Sequence, residues 1–303
     1  MKHPRNLHQD SYPLAQLAQY YPTLQSHILT KPDGGNSINF ANANAVKALN
    51  AALLAYYYQI EFWDVPAGYL CPPVPGRADY VHHLADLLAK DNHGVVPKGS
   101  SIKGLDIGTG ANVIYPIIAT RAYDWQMVGT DIDPISIQSA NTIIDSNSVL
   151  SGTIDIRKQH DQQQIFSGVV KPDEHFTFCM CNPPFHQSAE QAKVVSQRKF
   201  QNLSKNKVKR GSHVDTQKRS HALNFAGQSN ELWCEGGELQ FIQRMVSESR
   251  KYATQIDWFT SLVSKKDNLI HIYKILRQHG ISDVKTIEMA QGQKVSRFVA
   301  WRF

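Results

Sequence analysis

No stretch of this 303-residue sequence holds enough consecutive apolar residues to cross a bilayer. The opening MKHPRNLHQD lacks the apolar segment of a secretory signal, so a cytoplasmic protein with no membrane partner is expected. Cysteine is scarce, and Cys71, Cys179, Cys181 and Cys234 form no CxxC pair. That spacing argues against a zinc site, and no metal is expected. Cys179 and Cys181 fall on one face of a strand, as reduced core thiols would. Acidic residues are the minority charge, 26 against 32 lysines and arginines, leaving a net charge of +6. Internal repeats are absent. The remainder is ordinary: 42% hydrophobic and 19% charged residues, enough to bury a large core in one or two domains.

The stretch FTFCMCNPPFHQSAEQ is the first informative one. Phe176 to Cys181 reads as a buried strand. Asn182 then meets Pro183 and Pro184, which forbid a continuing strand or a new helix and fix an extended turn. A polar side chain, free carbonyls and the Phe185 ring are therefore held just past a strand's carboxyl end, the edge where open α/β sheets bind ligands. The plainer reading is a strand-ending turn with Phe185 in the core.

Around it, strands and helices alternate. SIKGLDIG, WQMVGTDI, TIDIRK and HFTFCMC read as strands, with helices through NVIYPIIATRAY and, capped by Asp133-Pro134, ISIQSANTIIDS. An amphipathic GELQFIQRMVSESRKY, a strand IDWFTSLVS and a helix NLIHIYKILRQHG follow, and DVKTIEMAQ with VSRFVAWRF closes the chain as an antiparallel hairpin. This predicts an α/β fold with a mostly parallel sheet, covered by helices on both faces. Residues 1–75 read as a separate helical, aromatic module, set off from a domain at 76–303 by the Pro-rich PAGYLCPPVPGR.

Two further features belong to the same sheet edge. LDIGTGAN follows the first strand, and its glycines let backbone approach a ligand at a helix N-terminus. Asp131 ends the second strand, where an acid can accept ribose hydroxyls. A glycine turn after the first strand, an acid after the second and NPPF after the fourth place a nucleoside site and a site for a planar amine on one sheet edge. The third glycine of the dinucleotide fingerprint is missing, which disfavours a hydride-transferring oxidoreductase.

The charge is concentrated. From Lys193 to Arg219 nine lysines and arginines face only Asp215, a surplus larger than that of the whole chain. This falls in a loop expected at 186–236, directly after NPPF, and suits a polyanion. Arg198, Lys199, Lys205, Lys207, Lys209 and Arg210 are the expected contacts to that polyanion, which the resemblance described next implies is RNA.

In HPRNLHQ, SINFANANAVKALNAALL, CPPVPGRADYVHHLADLL, LDIGTGANVIYPIIA, GTDID, CNPPFH, GGELQFI and SRFVAWRF, the chain resembles the ribosomal RNA large subunit methyltransferase F family. That family belongs to the class I S-adenosylmethionine-dependent methyltransferases with a Rossmann-like sheet. The resemblance implies methyl transfer from S-adenosyl-L-methionine to adenine N6 in 23S rRNA or a precursor particle of the large subunit. It further implies that Arg77 helps hold the methionine carboxylate and that Asp106, Gly108, Thr109, Gly110, Asp131 and Asn182 line the cofactor site. Asn182, Pro183, Pro184 and Phe185 would receive the base, and residues 1–75 would shape the substrate. A monomer is expected. The same motif also serves guanine-N2 methylation of rRNA and glutamine-N5 methylation of proteins, and a catalytically silent RNA-binding protein is the alternative of a different class.

Overall fold

The computed structural model describes residues 2–185, 187, 233–291 and 294–303. Seven strands form the central sheet in the order β5-β4-β3-β6-β7-β9-β8. They are β3 (Lys103–Ile107), β4 (Gln126–Asp131), β5 (Ile154–Lys158), β6 (Phe176–Cys181), β7 (Ile256–Leu262), β8 (Asp283–Gln291) and β9 (Lys294–Arg302). β3, β4, β5, β6 and β7 pair parallel, and β9 runs antiparallel to both β7 and β8. This is the mostly parallel α/β sheet with an antiparallel hairpin that the alternation predicts. From β3 the chain first builds outward to β4 and β5, then returns to β6 on the other flank. That reversal opens a crevice at the strands' carboxyl ends.

Strand residues alternate between two cores. Met127, Phe178, Met180, Trp258 and Phe298 point into one, and Leu105, Ile107, Val128, Cys179, Cys181 and Trp301 into the other. Both faces are therefore apolar, which is why the strands read as near-continuous hydrophobic runs. The first core is covered by α2 (Ala43–Tyr58), α3 (Val74–Asp91) and α4 (Ile114–Tyr123), together with the short α1 (Leu14–Tyr20). α5 (Pro134–Asp145) opens on Asp133, whose side chain accepts the Ser136 N–H as expected of an N-cap. The second core is covered by α6 (Gly237–Ser249) and α7 (Asn268–Gln278).

Residues 1–75 differ from their sequence reading in two respects. They include a small antiparallel hairpin, β1 (Ile28–Thr30) with β2 (Asn36–Ile38). Its turn forms because Asp33 Oδ1 accepts the Gly35 N–H at 3.0 Å, local chemistry that helical periodicity does not register. Their apolar residues also share one continuous core with β3, β4 and α4, and α3 begins at Val74, so the expected boundary falls inside a helix. Polar ties reinforce this. His3 N–H and Asn6 Nδ2 donate to Asp79 Oδ1 at 3.0 and 2.6 Å, Arg5 pairs with Asp86 at 2.7 Å, and Trp63 Nε1 donates to the Asn112 carbonyl at 2.9 Å. Burial pushes His82 down to about 3 and His8 down to about 4, so both are neutral parts of this scaffold.

Candidate active site

Register brings the site together. Ile107 pairs with Thr130 on one side and Cys181 on the other, so Gly108, Asp131 and Asn182 leave three adjacent strands side by side. Gly108 and Gly110 adopt φ of 72° and 68°, left-handed conformations that a side chain would strain. The turn is tied down: Gly108 N–H and Thr109 N–H both donate to the Thr130 carbonyl at 2.9 Å, and Gly110 N–H donates to Asp131 Oδ2 at 2.9 Å. Val113, fully buried at the entry to α4, also takes a left-handed φ of 52°. A β-branched residue there marks stored backbone strain.

The strand ends frame a cleft of about 670 Å³. Of the residues expected from sequence, Arg77, Gly108, Thr109, Gly110, Asp131, Asn182 and Pro184 line it. Asp106 lies just beneath, 1% exposed. Pro183 is buried, and Phe185 lines a smaller adjoining recess instead. The lysines and arginines expected to contact RNA lie outside the described residues.

The cleft is poor in internal partners. Both Asp106 carboxylate oxygens, Thr109 Oγ1, Tyr115 Oη and Asn182 Oδ1 are buried without a hydrogen-bond partner among the described residues. Burial pushes the Asp106 carboxyl up to about 7, with neighbouring Asp131 adding to the shift, while Thr109 close by and the Arg77 charge oppose it. Arg77 sits over the Tyr115 ring, 5.5 Å from its centre. Burial raises Asp131 as well, countered by the N–H groups of Asp133 and Gly110. Such orphaned acceptors are expensive unless a ligand completes them. An ammonium suits Asp106, a carboxylate suits Arg77, and an amine suits Asn182.

Sequence reading missed the cleft's other wall, residues 162–165, which follows β5. It is fixed by Glu248 of α6, a buried carboxylate that accepts the N–H groups of Ile165, Phe166 and Ser167 at 2.6, 3.0 and 2.7 Å. One turn earlier, Arg244 Nη1 donates to Gln163 Oε1 at 2.9 Å. The signal for Glu248 was an acid placed on the same helical face as Ile242, Met245 and Ser249. Among the described residues, ligand atoms of His3, His83 and Asp86 lie within 4.8 Å of one another. Asp86 there is already bonded to both His3 and Arg5.

Comparison with known proteins gives this geometry a context. A family described as RNA methyltransferase matches residues 1–303. The ribosomal RNA large subunit methyltransferase F of Pseudoalteromonas atlantica is 55% identical over 302 residues, spanning 99% of this chain and 92% of the relative. That of Psychromonas ingrahamii is 50% identical over 301 residues, with 99% and 94% covered. Among solved structures, the Mettl16 catalytic domain in complex with the MAT2A 3'UTR hairpin 1 superposes with a TM-score of 0.80 at 29% identity, covering 100% of this chain and 95% of the other. The N-terminal domain of human METTL16 in complex with SAH gives 0.74 at 27% identity, with 100% and 98% covered. No described helix is long and apolar enough to cross a membrane. With its fold, its strand-end cleft and its full-length similarity in agreement, the chain belongs to the ribosomal RNA large subunit methyltransferase F family and is an RNA methyltransferase.

Proposed function

We propose that the enzyme methylates N6 of an adenine in 23S rRNA, or in a precursor particle of the large subunit, using S-adenosylmethionine. The observation that carries this reading is Asn182: its buried Oδ1, unpartnered among the described residues, lies in the same cleft as Arg77, the 108–110 turn and Asp131. S-adenosylmethionine supplies an electrophilic methyl group on a sulfonium. The charged groups in and beneath the cleft fit those of the cofactor, with Asp106 for the ammonium, Arg77 for the carboxylate and Asp131 for ribose hydroxyls. Asp131 accepts one N–H on each carboxylate oxygen, which leaves lone pairs for those hydroxyls.

Adenine N6 is a weak nucleophile because its lone pair is delocalised into the ring. Asn182 Oδ1 and the Pro183 carbonyl would hold its two N–H bonds and turn the lone pair toward the methyl group. Orientation and electrostatics of this kind supply most of the acceleration without a strong base. After transfer the amine's extra proton passes to water. Phe185 supports the base once it has left its helix. Residues 1–75 shape the substrate, and the Lys193–Arg219 stretch engages phosphates. The protein acts as a monomer in the cytoplasm without a metal. The names of the curated relatives and the RNA-bound structural neighbour support an rRNA substrate.

The test is incubation with labelled S-adenosylmethionine and either stripped 23S rRNA or precursor particles, followed by nucleoside analysis. N6-methyladenosine is the expected product. N2-methylguanosine in its place would overturn the base assignment, and label in only one substrate form would identify that form.

A further inference from the structure

The outward face of α6, and of the short turn Arg250–Tyr252 that continues it, is a strip of polar side chains without an acid. Gln240, Gln243, Arg244, Ser247 and Lys251 follow one another at helical spacing. All but the half-buried Arg244 are exposed. Two hollows flank the strip. A groove of about 470 Å³ lies between it and residues 163–164. The recess noted above, of about 230 Å³, lies between it and Phe185, Lys265 and Asn268. Gln163, Gln164 and Arg244 also line the cleft, and Gln187 is shared by cleft and recess. The cleft is therefore continuous with both hollows, and α6 runs between them.

The charge of this face is one-sided. Between residues 237 and 280 seven lysines and arginines stand against four acids, and two of those acids are the buried Glu238 and Glu248. Glu248 borders the groove and Glu238 the recess, but both turn inward. Glu248 takes the N–H groups of residues 165–167, and Glu238 takes the Ser264 N–H and the Asn268 amide, each at 2.6 Å. Lys251 and Lys265 are left exposed, and neither is in an ion pair among the described residues. Elsewhere Arg157 and Lys103 are neutralised by Glu174, Arg302 by Asp283 and Asp91, and Arg5 by Asp86. Ammonium groups, a guanidinium, amides and a hydroxyl are donors that hold a sugar–phosphate backbone without reading its bases.

We propose that the RNA chain flanking the reacting nucleotide lies along this face of α6, its phosphates held by Lys251 in the groove and by Lys265 in the recess. The inference needs only that the substrate is RNA, whichever base is methylated. Charge selects the partner: a strip without acids, bordered by unpaired cations, complements a polyanion. Continuity selects the place. A polynucleotide whose reacting base fills the cleft must leave it, and the cleft's margins at residues 163–164 and 187 lead onto this strip.

The experiment measures affinity against salt for the 23S rRNA fragment that the enzyme methylates. The double variant Lys251→Gln, Lys265→Gln should flatten the log–log slope by about 1.4, at roughly 0.7 per lost phosphate contact on single-stranded RNA. A fourfold rise in salt then costs the variant about sevenfold less affinity than it costs wild type. Its KM for RNA should rise severalfold, with Tm and S-adenosylmethionine affinity unchanged, because both lysines are exposed and neither lines the cleft. The control is Lys274→Gln, Arg277→Gln, which removes the same charge from exposed positions of α7 that line none of the three cavities. Its slope should match that of wild type. A Lys251, Lys265 variant whose slope superimposes on wild type would overturn the inference. So would an equal flattening in the control, which would reduce the effect to overall charge. A fragment methylated on a base other than adenine would overturn the function proposed above and leave this inference standing.

Discussion

Asp106 allows a quantitative test of the cofactor site. Its carboxyl is fully buried, has only the nearby Thr109 hydroxyl and the Arg77 charge to ease it among the described residues and sits at about 7 rather than the ordinary 3.8. A rise of roughly three units corresponds to about 4 kcal/mol for ionising this group in the empty protein. The sign follows from linkage: the folded state holds this proton more tightly than the unfolded one. This group's contribution to stability is therefore greatest below pH 4 and declines as pH climbs to about 7. Asp106→Asn should remove that decline and be more stable than wild type above pH 7. Ligand binding runs the other way. The cofactor's ammonium keeps its own proton below about pH 7.7 and needs the carboxylate ionised. Affinity should rise with pH up to about 7 and then level, being about tenfold weaker one unit below that point. Calorimetry from about pH 5.5 to 8, in two buffers of different ionisation enthalpy, reads both affinity and the proton released on binding. Superimposable pH profiles for wild type and Asp106→Asn, or binding at pH 6 without proton release, would refute the reasoning.

Asn182→Ala should abolish methyl transfer while keeping most cofactor affinity, because its contact is with the reacting amine; near-normal single-turnover rates would return NPPF to a structural turn. Phe185→Ala should lose turnover through a missing stack of ~1–3 kcal/mol, read as kcat/KM on RNA. Replacing Lys205, Lys207, Lys209 and Arg210 with Gln should flatten the log–log salt dependence of RNA affinity by about 0.7 per lost phosphate contact, with base preference unchanged. Glu248→Ala would strand three backbone N–H groups at a cost of roughly 3 kcal/mol or more. Its denaturation midpoint should fall and cofactor affinity with it, although Glu248 touches no ligand.

The strand-ending motifs were legible because each combines a short apolar run with residues of unusual backbone demand, as in LDIGTG and CNPPF. Such chemistry is local, so spacing alone fixes which strand end carries it. The wall at 162–165 was not legible, because nothing in three successive glutamines announces that Glu248, more than eighty residues later, will collect the neighbouring N–H groups. Phe185 illustrates the same limit. Its sequence position fixes that it follows Asn182, whereas the cavity its ring lines depends on α6 and α7. The 1–75 boundary failed to appear as a break in packing because prolines mark a change of direction, which need not be an edge of the core.

The turn joining β3 to α4 has a kinetic consequence. With left-handed residues at Gly108, Gly110 and Val113, and with three of its N–H groups bonded to Thr130 and Asp131, it already holds its shape in the empty protein. The cofactor meets a finished surface on this side, so exchange of spent for fresh methyl donor requires no refolding of the glycine turn. The opposite wall is held too, with α6 gripping residues 163–167 through Arg244 and Glu248. Between one methylation and the next, the glycine side of the cleft stays as the anvil on which each new cofactor is set.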